Sequence, residues 1–108
     1  MKYHHLGIPT TEKKDGLRHL PHLKMSVGGY KESPYNVEWM VFDDDCTLPD
    51  LVKTVPHVAF EVDDLDKAIK GKNVIIQPNS PCKGVRVAFI EDNGAPVEFL
   101  EIAPDAEI

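Results

Sequence analysis

The stretch PHVAFEVDDLDKAI, residues 56–69, carries the clearest structural signal in the chain. Val58, Phe60 and Val62 alternate with other residues, which is typical of a strand with one buried face. Two aspartates then precede an apolar helical face that Gly71 follows, so the sequence predicts a helix over residues 63–70. The stretch is therefore predicted to fold as a strand followed directly by a helix.

Similar alternating runs rich in Val, Ile, Phe and Tyr occur on both sides of this stretch, between clusters of turn-forming residues. Strands are predicted at residues 3–8, 23–27, 37–42, 57–62, 74–77, 85–90 and 97–102, and a weaker helix, interrupted by Gly16, at residues 11–20. The order strand, helix, strands thus occurs twice, at residues 1–42 and 57–108, with a linker over residues 43–56. The first copy is shorter by about one strand and a turn, so it is predicted to have lost a strand.

Length, charge and cysteine content narrow the class of protein. A chain of 108 residues suffices for one domain with a modest core. The net charge of −6 and the presence of only two arginines disfavour binding to nucleic acid or to anionic membranes. No apolar run is long enough to span a membrane and no secretory signal is evident, so the cytoplasm is the expected compartment. Cys46 and Cys82 lack CxxC spacing, so neither a disulfide framework nor a cysteine metal site is expected.

Strand alternation places four polar residues on the face opposite the apolar stripes. These residues are His5, Glu38, His57 and Glu98, so that each copy supplies one His from its first strand and one Glu from its last. Taken singly, such a residue is usually solvated or hydrogen-bonded. Two imidazoles and two carboxylates at repeat-related positions instead form a donor set for a divalent ion such as Zn, Ni, Co, Mn or Fe. Glu101 competes with Glu98, but alternation places Glu101 on the other face.

Three motifs contain these residues: HHLGI at residues 4–8, PHVAFEVDDLDKAI at 56–69 and VRVAFIEDNGAPVEFLEI at 85–102. Together they resemble the vicinal-oxygen-chelate superfamily, which includes glyoxalase I, methylmalonyl-CoA epimerase, extradiol dioxygenases, fosfomycin-resistance enzymes and bleomycin-binding proteins. The resemblance implies an α+β fold of paired βαβββ modules that form a cupped mixed β-sheet with helices on the outer face, the first module being shortened. It also implies His5, Glu38, His57 and Glu98 as the metal ligands, with His4 facing the core side.

In this superfamily the metal takes two neighbouring oxygens of the substrate and stabilises the enolate that forms when a carbon-bound proton leaves. The resemblance therefore implies a metal-dependent lyase or isomerase of the glyoxalase or epimerase type, with Glu98 and Glu38 as catalytic carboxylates. Two alternatives stay open. One is an Fe(II)-dependent oxygenase, for which His5, His57 and Glu98 form a two-His-one-carboxylate triad. The other is a non-enzymatic module that binds or sequesters a small molecule.

Three further residues are predicted to contact a substrate, although each also has an ordinary surface or packing explanation. Lys24 opposes the apolar stripe of its strand, Tyr3 shares the face of His5, and Lys83 lies in a turn at residues 81–84. Module one alone can bury little apolar area, and small domains often gain the missing burial by association. A homodimer is therefore predicted.

Overall fold

Eight strands form one mixed sheet in the computed structural model of the chain, which describes residues 1–106. Each of the seven predicted strands overlaps an observed one, and two short helices lie between strands. The elements are β1 (Lys2–Pro9), β2 (Arg18–Leu20), β3 (Met25–Gly28), β4 (Val37–Phe42), α1 (Asp50–Thr54), β5 (His57–Glu61), α2 (Leu65–Ile69), β6 (Val74–Cys82), β7 (Val85–Asp92) and β8 (Ala95–Ile102).

The sheet consists of two halves with the same strand pattern, module one with β1 to β4 and module two with β5 to β8. The strand order is β2-β3-β4-β1-β5-β8-β7-β6. In each module the first strand pairs in parallel with the last, and the other two strands continue the sheet in antiparallel pairing. The modules meet where β1 and β5 pair antiparallel. The observed architecture agrees with the predicted cupped mixed sheet.

Residues 11–20 form no helix, so the weaker of the two helix predictions is wrong. The segment is irregular, turns at Gly16 with a φ of +79°, and then enters the short strand β2. Glycine favours such a turn over a helix interior. Module one therefore keeps the strand that it was predicted to have lost, in a form of three residues, and lacks the helix instead. In place of a helix, the ammonium group of Lys14 lies 4.2 Å from the centre of the Trp39 ring on β4.

Helix α2 of module two forms where it was predicted, and two side chains fix its N-terminus. Asp64 accepts a hydrogen bond from the backbone N–H of Lys67, and Glu101 accepts one from that of Leu65. Leu65 is fully buried between the helix and the outer face of β7 and β8. Glu101 thus lies on the outer face, as strand alternation predicts, and it supports the helix.

The linker over residues 43–56 contains α1, a helix that the sequence did not predict. It has only five residues and follows Pro49 without a side-chain cap, so the usual start signal is absent. Its Val52 is 2% exposed and lies on the concave side of the sheet, whereas α2 covers the convex side. Within residues 1–106 no helix has the length and apolar character needed to cross a membrane.

Candidate metal centre

The four central strands bring the predicted metal ligands together on the concave side. The ligands are His5 on β1, Glu38 on β4, His57 on β5 and Glu98 on β8. Gly7 of β1 pairs with Glu38 on one side and with His57 on the other. Ala59 of β5 pairs in the same way with the other two ligands. A small residue two positions after each histidine therefore lies between a His and a Glu, and one chain supplies all four side chains.

Three of these side chains converge on one point. The Nε2 atoms of His5 and His57 are 3.2 Å apart, and Oε1 of Glu98 lies 3.1 Å from the first and 2.9 Å from the second. The three residues are buried, with exposed fractions of 4%, 2% and 7%. Donor atoms at about 2.0–2.2 Å from one ion stand roughly 3–3.5 Å from each other. The three side chains can therefore hold a divalent metal ion.

Glu38 lies at the edge of this group. Its Oε1 is 3.7 Å from Nε2 of His5, and its side chain is 21% exposed, compared with 10% for the side chain of Glu98. Glu38 also lines the cavity that contains the other three ligands. The structure thus brings all four predicted residues to one place, with three in close convergence and the fourth beside them.

The electrostatics of the group favour a cation. Burial raises the pKa of Glu98, but hydrogen bonds from His5 and His57 outweigh this effect and lower the pKa to about 2. Burial lowers the pKa of His5, yet the hydrogen bond to Glu98 and the charges of both glutamates raise it overall. For Glu38 burial is the largest effect and raises the pKa, while His5 opposes the change. The group therefore places an ionised carboxylate against two imidazoles in a buried setting.

The ring of His57 occupies the space beside Gly7 and packs against Phe89. Among residues 1–106 its Nδ1 has no hydrogen-bond partner, and its ring packs edge-on against Phe89 with centroids 4.9 Å apart. A Cβ atom on Gly7 would lie only 2.6 Å from Nε2 of His57. Gly7 is therefore required for the ring to occupy its position. Alternation along β1 gave no reason for a glycine there, because the neighbouring ring comes from the other module.

The three convergent side chains line a cavity of about 670 Å³ on the concave side of the sheet. Its wall is mostly apolar and includes Leu20, Leu23, Met25, Val27, Met40, Val87, Phe89 and Leu100. Charged residues Arg18, Lys31 and Glu32 also border it. Arg18 of β2 pairs with Val27 of β3, and Val27 lines the cavity. Because paired residues of antiparallel strands lie on the same face of a sheet, Arg18 also faces the cavity. Sequence reasoning missed Arg18, since the residue fell within the helix predicted for residues 11–20.

His4 and His5 face the same side of the sheet, which corrects the prediction that His4 faces the core side. The pairing of β1 with β5 shifts register between Tyr3 and His5, where a β-bulge inserts an extra residue. His4 therefore lines the cavity, and its ring stacks on Tyr30 with centroids 5.1 Å apart. Burial, followed by the charge of His5, lowers the pKa of His4.

Within the described chain, the three residues predicted to contact a substrate lie outside the cavity lining. The bulge in β1 turns Tyr3 to the other face, where its hydroxyl donates to the backbone carbonyl of Tyr35. Lys24 lies in the turn before β3, where it is exposed and donates to Asp45 at 2.8 Å. Lys83 is exposed in the turn between β6 and β7. Alternation alone did not reveal which face of β3 was concave, since module one has no helix to mark the other.

One solved structure with a similar fold is that of a hypothetical protein from Bacillus halodurans C-125. Its TM-score to this chain is 0.65, the two share 19% sequence identity, and the match covers 99% of this chain and 98% of that chain. At this identity the likeness shows the fold alone. No protein-family model and no curated protein matches the sequence. The curled mixed sheet is compatible with the vicinal-oxygen-chelate architecture.

Proposed function

We propose that the protein is a metal-dependent lyase or isomerase of the glyoxalase and epimerase type, within the vicinal-oxygen-chelate superfamily. The supporting observation is the buried group of His5, His57 and Glu98, which lines an apolar cavity beside Glu38. The duplicated strand pattern supports the same assignment, because each module supplies one His and one Glu to the cavity that contains this group.

His5, His57 and Glu98 would hold the ion through two imidazole nitrogens and one carboxylate oxygen. This donor set suits Zn, Ni, Co, Mn or Fe. A bound ion of this kind supplies Lewis acidity toward two neighbouring substrate oxygens and toward the negative charge that develops when a carbon-bound proton leaves. Because only three protein donors converge, positions remain for substrate oxygens.

Glu38 is the residue that we assign to the first proton transfer. Its carboxylate touches the group only at the edge, 3.7 Å from His5, and its side chain is the more exposed of the two glutamates. Glu98 lies within 3.1 Å of one imidazole and 2.9 Å of the other, so it has little freedom to approach a substrate. Glu38 therefore acts as the general base, and Glu98 acts first as a ligand. Glu38, which then carries the proton, is also the group that can return it to the substrate.

The cavity suits a small substrate with two neighbouring oxygens and an apolar body. Its volume of about 670 Å³ lies within the range of small-molecule sites. Met25 and Met40 belong to the apolar wall, which excludes water from a bound molecule. Arg86 is paired with acidic residues on the outer face, whereas within residues 1–106 Arg18 has no ion-pair partner and borders the cavity. Arg18 therefore offers a contact for an anionic group of the substrate.

Metal content and proton exchange together test this function. The chain, purified without chelator, is compared with a His5→Ala/His57→Ala variant and with a matched control that loses two exposed histidines, His19→Ala/His22→Ala. Elemental analysis should find metal in the parent and the control, and background amounts in the ligand variant. Equal metal contents in all three proteins would contradict the site.

The metal-loaded parent should then catalyse deuterium exchange at the acidic carbon of at least one member of a substrate panel. The panel consists of 2-oxo thiohemiacetals and 2-methyl acyl thioesters. Tight binding of panel members without exchange would contradict the enzyme and favour the alternative of a binding or sequestering module.

A second candidate function is an Fe(II)-dependent oxygenase, because the convergent group has two histidines and one carboxylate and leaves Glu38 outside. Loading with Fe(II) under argon, followed by oxygen-electrode measurements with catechols, separates the two functions. Oxygen consumption that survives Glu38→Gln, together with no proton exchange in the parent, would favour the oxygenase.

A further inference from the structure

We propose that His4 is a positioning residue that accepts a hydrogen bond from Nδ1 of His5. This hydrogen bond fixes the tautomer of His5 in which Nε2 is free to bind metal. The proposal rests on the metal site of the proposed function. The two Nδ1 atoms are 2.7 Å apart, well within hydrogen-bond distance. On the other side of the His5 ring, Nε2 points at His57 and Glu98. The two nitrogens of one ring thus face different partners.

The tautomer follows from the requirements of each nitrogen. A nitrogen that binds metal must offer its lone pair, so in a loaded site the proton of neutral His5 resides on Nδ1. An Nδ1–H group needs an acceptor when it is buried, and His4 Nδ1 is the atom that faces it. His4 then carries its own proton on Nε2. Histidine ligands that donate their second nitrogen in this way are oriented by the acceptor and become more basic.

His4 is itself held in place, as a positioning residue must be. The bulge in β1 turns its side chain to the concave side. Its ring lies parallel to Tyr30, with an interplanar angle of 9°, and its backbone carbonyl accepts a hydrogen bond of 2.9 Å from the side-chain amide of Asn36. Both partners lie in the segment before β4, and Tyr30 also packs edge-on against His5, with ring centroids 6.1 Å apart.

The two histidine ligands are therefore supported differently. Nδ1 of His5 has His4 as a partner, while Nδ1 of His57 has none among residues 1–106. Space beside Gly7 and packing on Phe89 hold His57 instead. Removal of the His4 acceptor should thus affect His5 alone.

Two substitutions of His4 separate the hydrogen bond from packing. His4→Phe keeps a flat ring over Tyr30 but removes the acceptor, and His4→Asn places an amide oxygen near the position of Nδ1. Zinc affinity is measured by competition with a chromophoric chelator, and Tyr30→Phe is the control for stacking. We expect His4→Phe to weaken zinc binding roughly 10- to 100-fold, while His4→Asn and Tyr30→Phe stay close to the parent. Thermal unfolding in chelator verifies that each variant folds.

Nitrogen-15 NMR of the histidine rings supplies a readout that packing alone would not change. In the zinc-loaded parent, His5 should show a proton on Nδ1, and in His4→Phe this signal should shift or broaden. Equal zinc affinity in the parent and a folded His4→Phe would overturn the role of His4, as would a His4→Asn variant as weak as His4→Phe. A parent that binds no zinc would overturn the metal site and the role of His4 together. If the protein showed no enzymatic turnover, the zinc affinities of the parent and the His4 variants would still test the role of His4, because they do not depend on activity.

Discussion

Module two has long outer strands, with nine residues in β6 and eight in β7, whereas their counterparts β2 and β3 have three and four. Module two also packs α2 on its outer face, where module one has only an irregular segment. The two modules nevertheless place one His and one Glu each at the same site. The position of the ligands therefore depends on the four central strands, β4, β1, β5 and β8, and the outer strands are free to shorten.

The largest expected effect comes from Gly7, because this residue of module one makes room for a ring of module two. In Gly7→Ala the new Cβ would collide with His57, so the ring must leave its position. Metal content should fall to the background of the His5→Ala/His57→Ala variant, and overpacking should lower the free energy of unfolding by about 1–3 kcal/mol. Gly28→Ala is the control, since its Cβ would meet mainly the flexible end of Leu17. A Gly7→Ala protein with full metal content would show that the position of His57 does not depend on the absence of a side chain at Gly7.

Substitution of each glutamate by glutamine tests whether the two modules contribute equally to metal binding and to proton exchange. Glu98→Gln should lose most of its metal, because the amide lacks the charge that faces both imidazoles. Glu38→Gln should retain metal but lose about 10²–10⁴-fold in the rate of proton exchange, as expected for loss of a general base. Both variants are assayed for metal content and deuterium exchange. Metal loss in Glu38→Gln alone would reverse the assignment of the two roles.

The pH dependence of stability tests the pairing of Glu98 with His5 across the modules. Because the pKa of Glu98 falls from 4.5 to about 2, its contribution is present above pH 4.5 and is lost as the pH falls toward 2. That shift corresponds to a contribution from Glu98 on the order of 3 kcal/mol to the free energy of unfolding. The pKa of His5 is raised, so its contribution is complete below pH 6.5 and is lost as the pH rises through the raised value.

Urea unfolding in the presence of chelator should therefore show the highest stability between pH 4.5 and pH 6.5. With zinc the trend above pH 6.5 should reverse, because metal binds only deprotonated imidazoles. Glu98→Gln should flatten the acid side of the chelator curve. A curve for the metal-free parent that is flat from pH 3 to pH 8 would contradict the pairing.

A smaller effect is expected at the shortened edge of module one, where Arg18 borders the cavity and Lys24 lies in the turn between β2 and β3. Arg18→Gln should raise the Kd of an anionic ligand about tenfold, within the range of hydrogen bonds to charged groups. Lys24→Gln should leave the Kd unchanged, because this ammonium group pairs with Asp45 away from the cavity. Isothermal titration of the zinc protein with 2-oxo-octanedioate and 2-oxo-octanoate compares the ligands with and without a second carboxylate. Equal losses for both ligands would contradict a role for Arg18 in anion binding.

The smallest effect on the site is expected from formation of the predicted homodimer. One chain supplies all four predicted ligands. Metal content per chain should therefore stay the same when dilution dissociates the dimer. Light scattering at tens of micromolar should give twice the chain mass of 12.1 kDa. A mass near that of a single chain would contradict the dimer.

The central strands could be predicted from the sequence because each has a buried apolar stripe. Alternation along β4, β5 and β8, and along β1 from His5 onward, also placed the four predicted ligands on one side. Strand β2 could not, since RHL is three residues long and mostly polar. The bulge at His4 was hidden because a register shift depends on the partner strand β5, which alternation along β1 does not describe. The concave face of β3 and the helix α1 likewise depend on tertiary packing.

The central position of β1 and β8 also constrains how the chain folds. These strands come first and last along the chain, yet only β5 separates them in the sheet. Pairing between distant segments slows folding, because the cost of closing a long loop precedes the gain from contacts. His5 and Glu98 lie on β1 and β8, so they come together only when both strands have paired with β5. The group of His5, His57 and Glu98 should therefore be completed late in folding, once β1, β5 and β8 lie side by side.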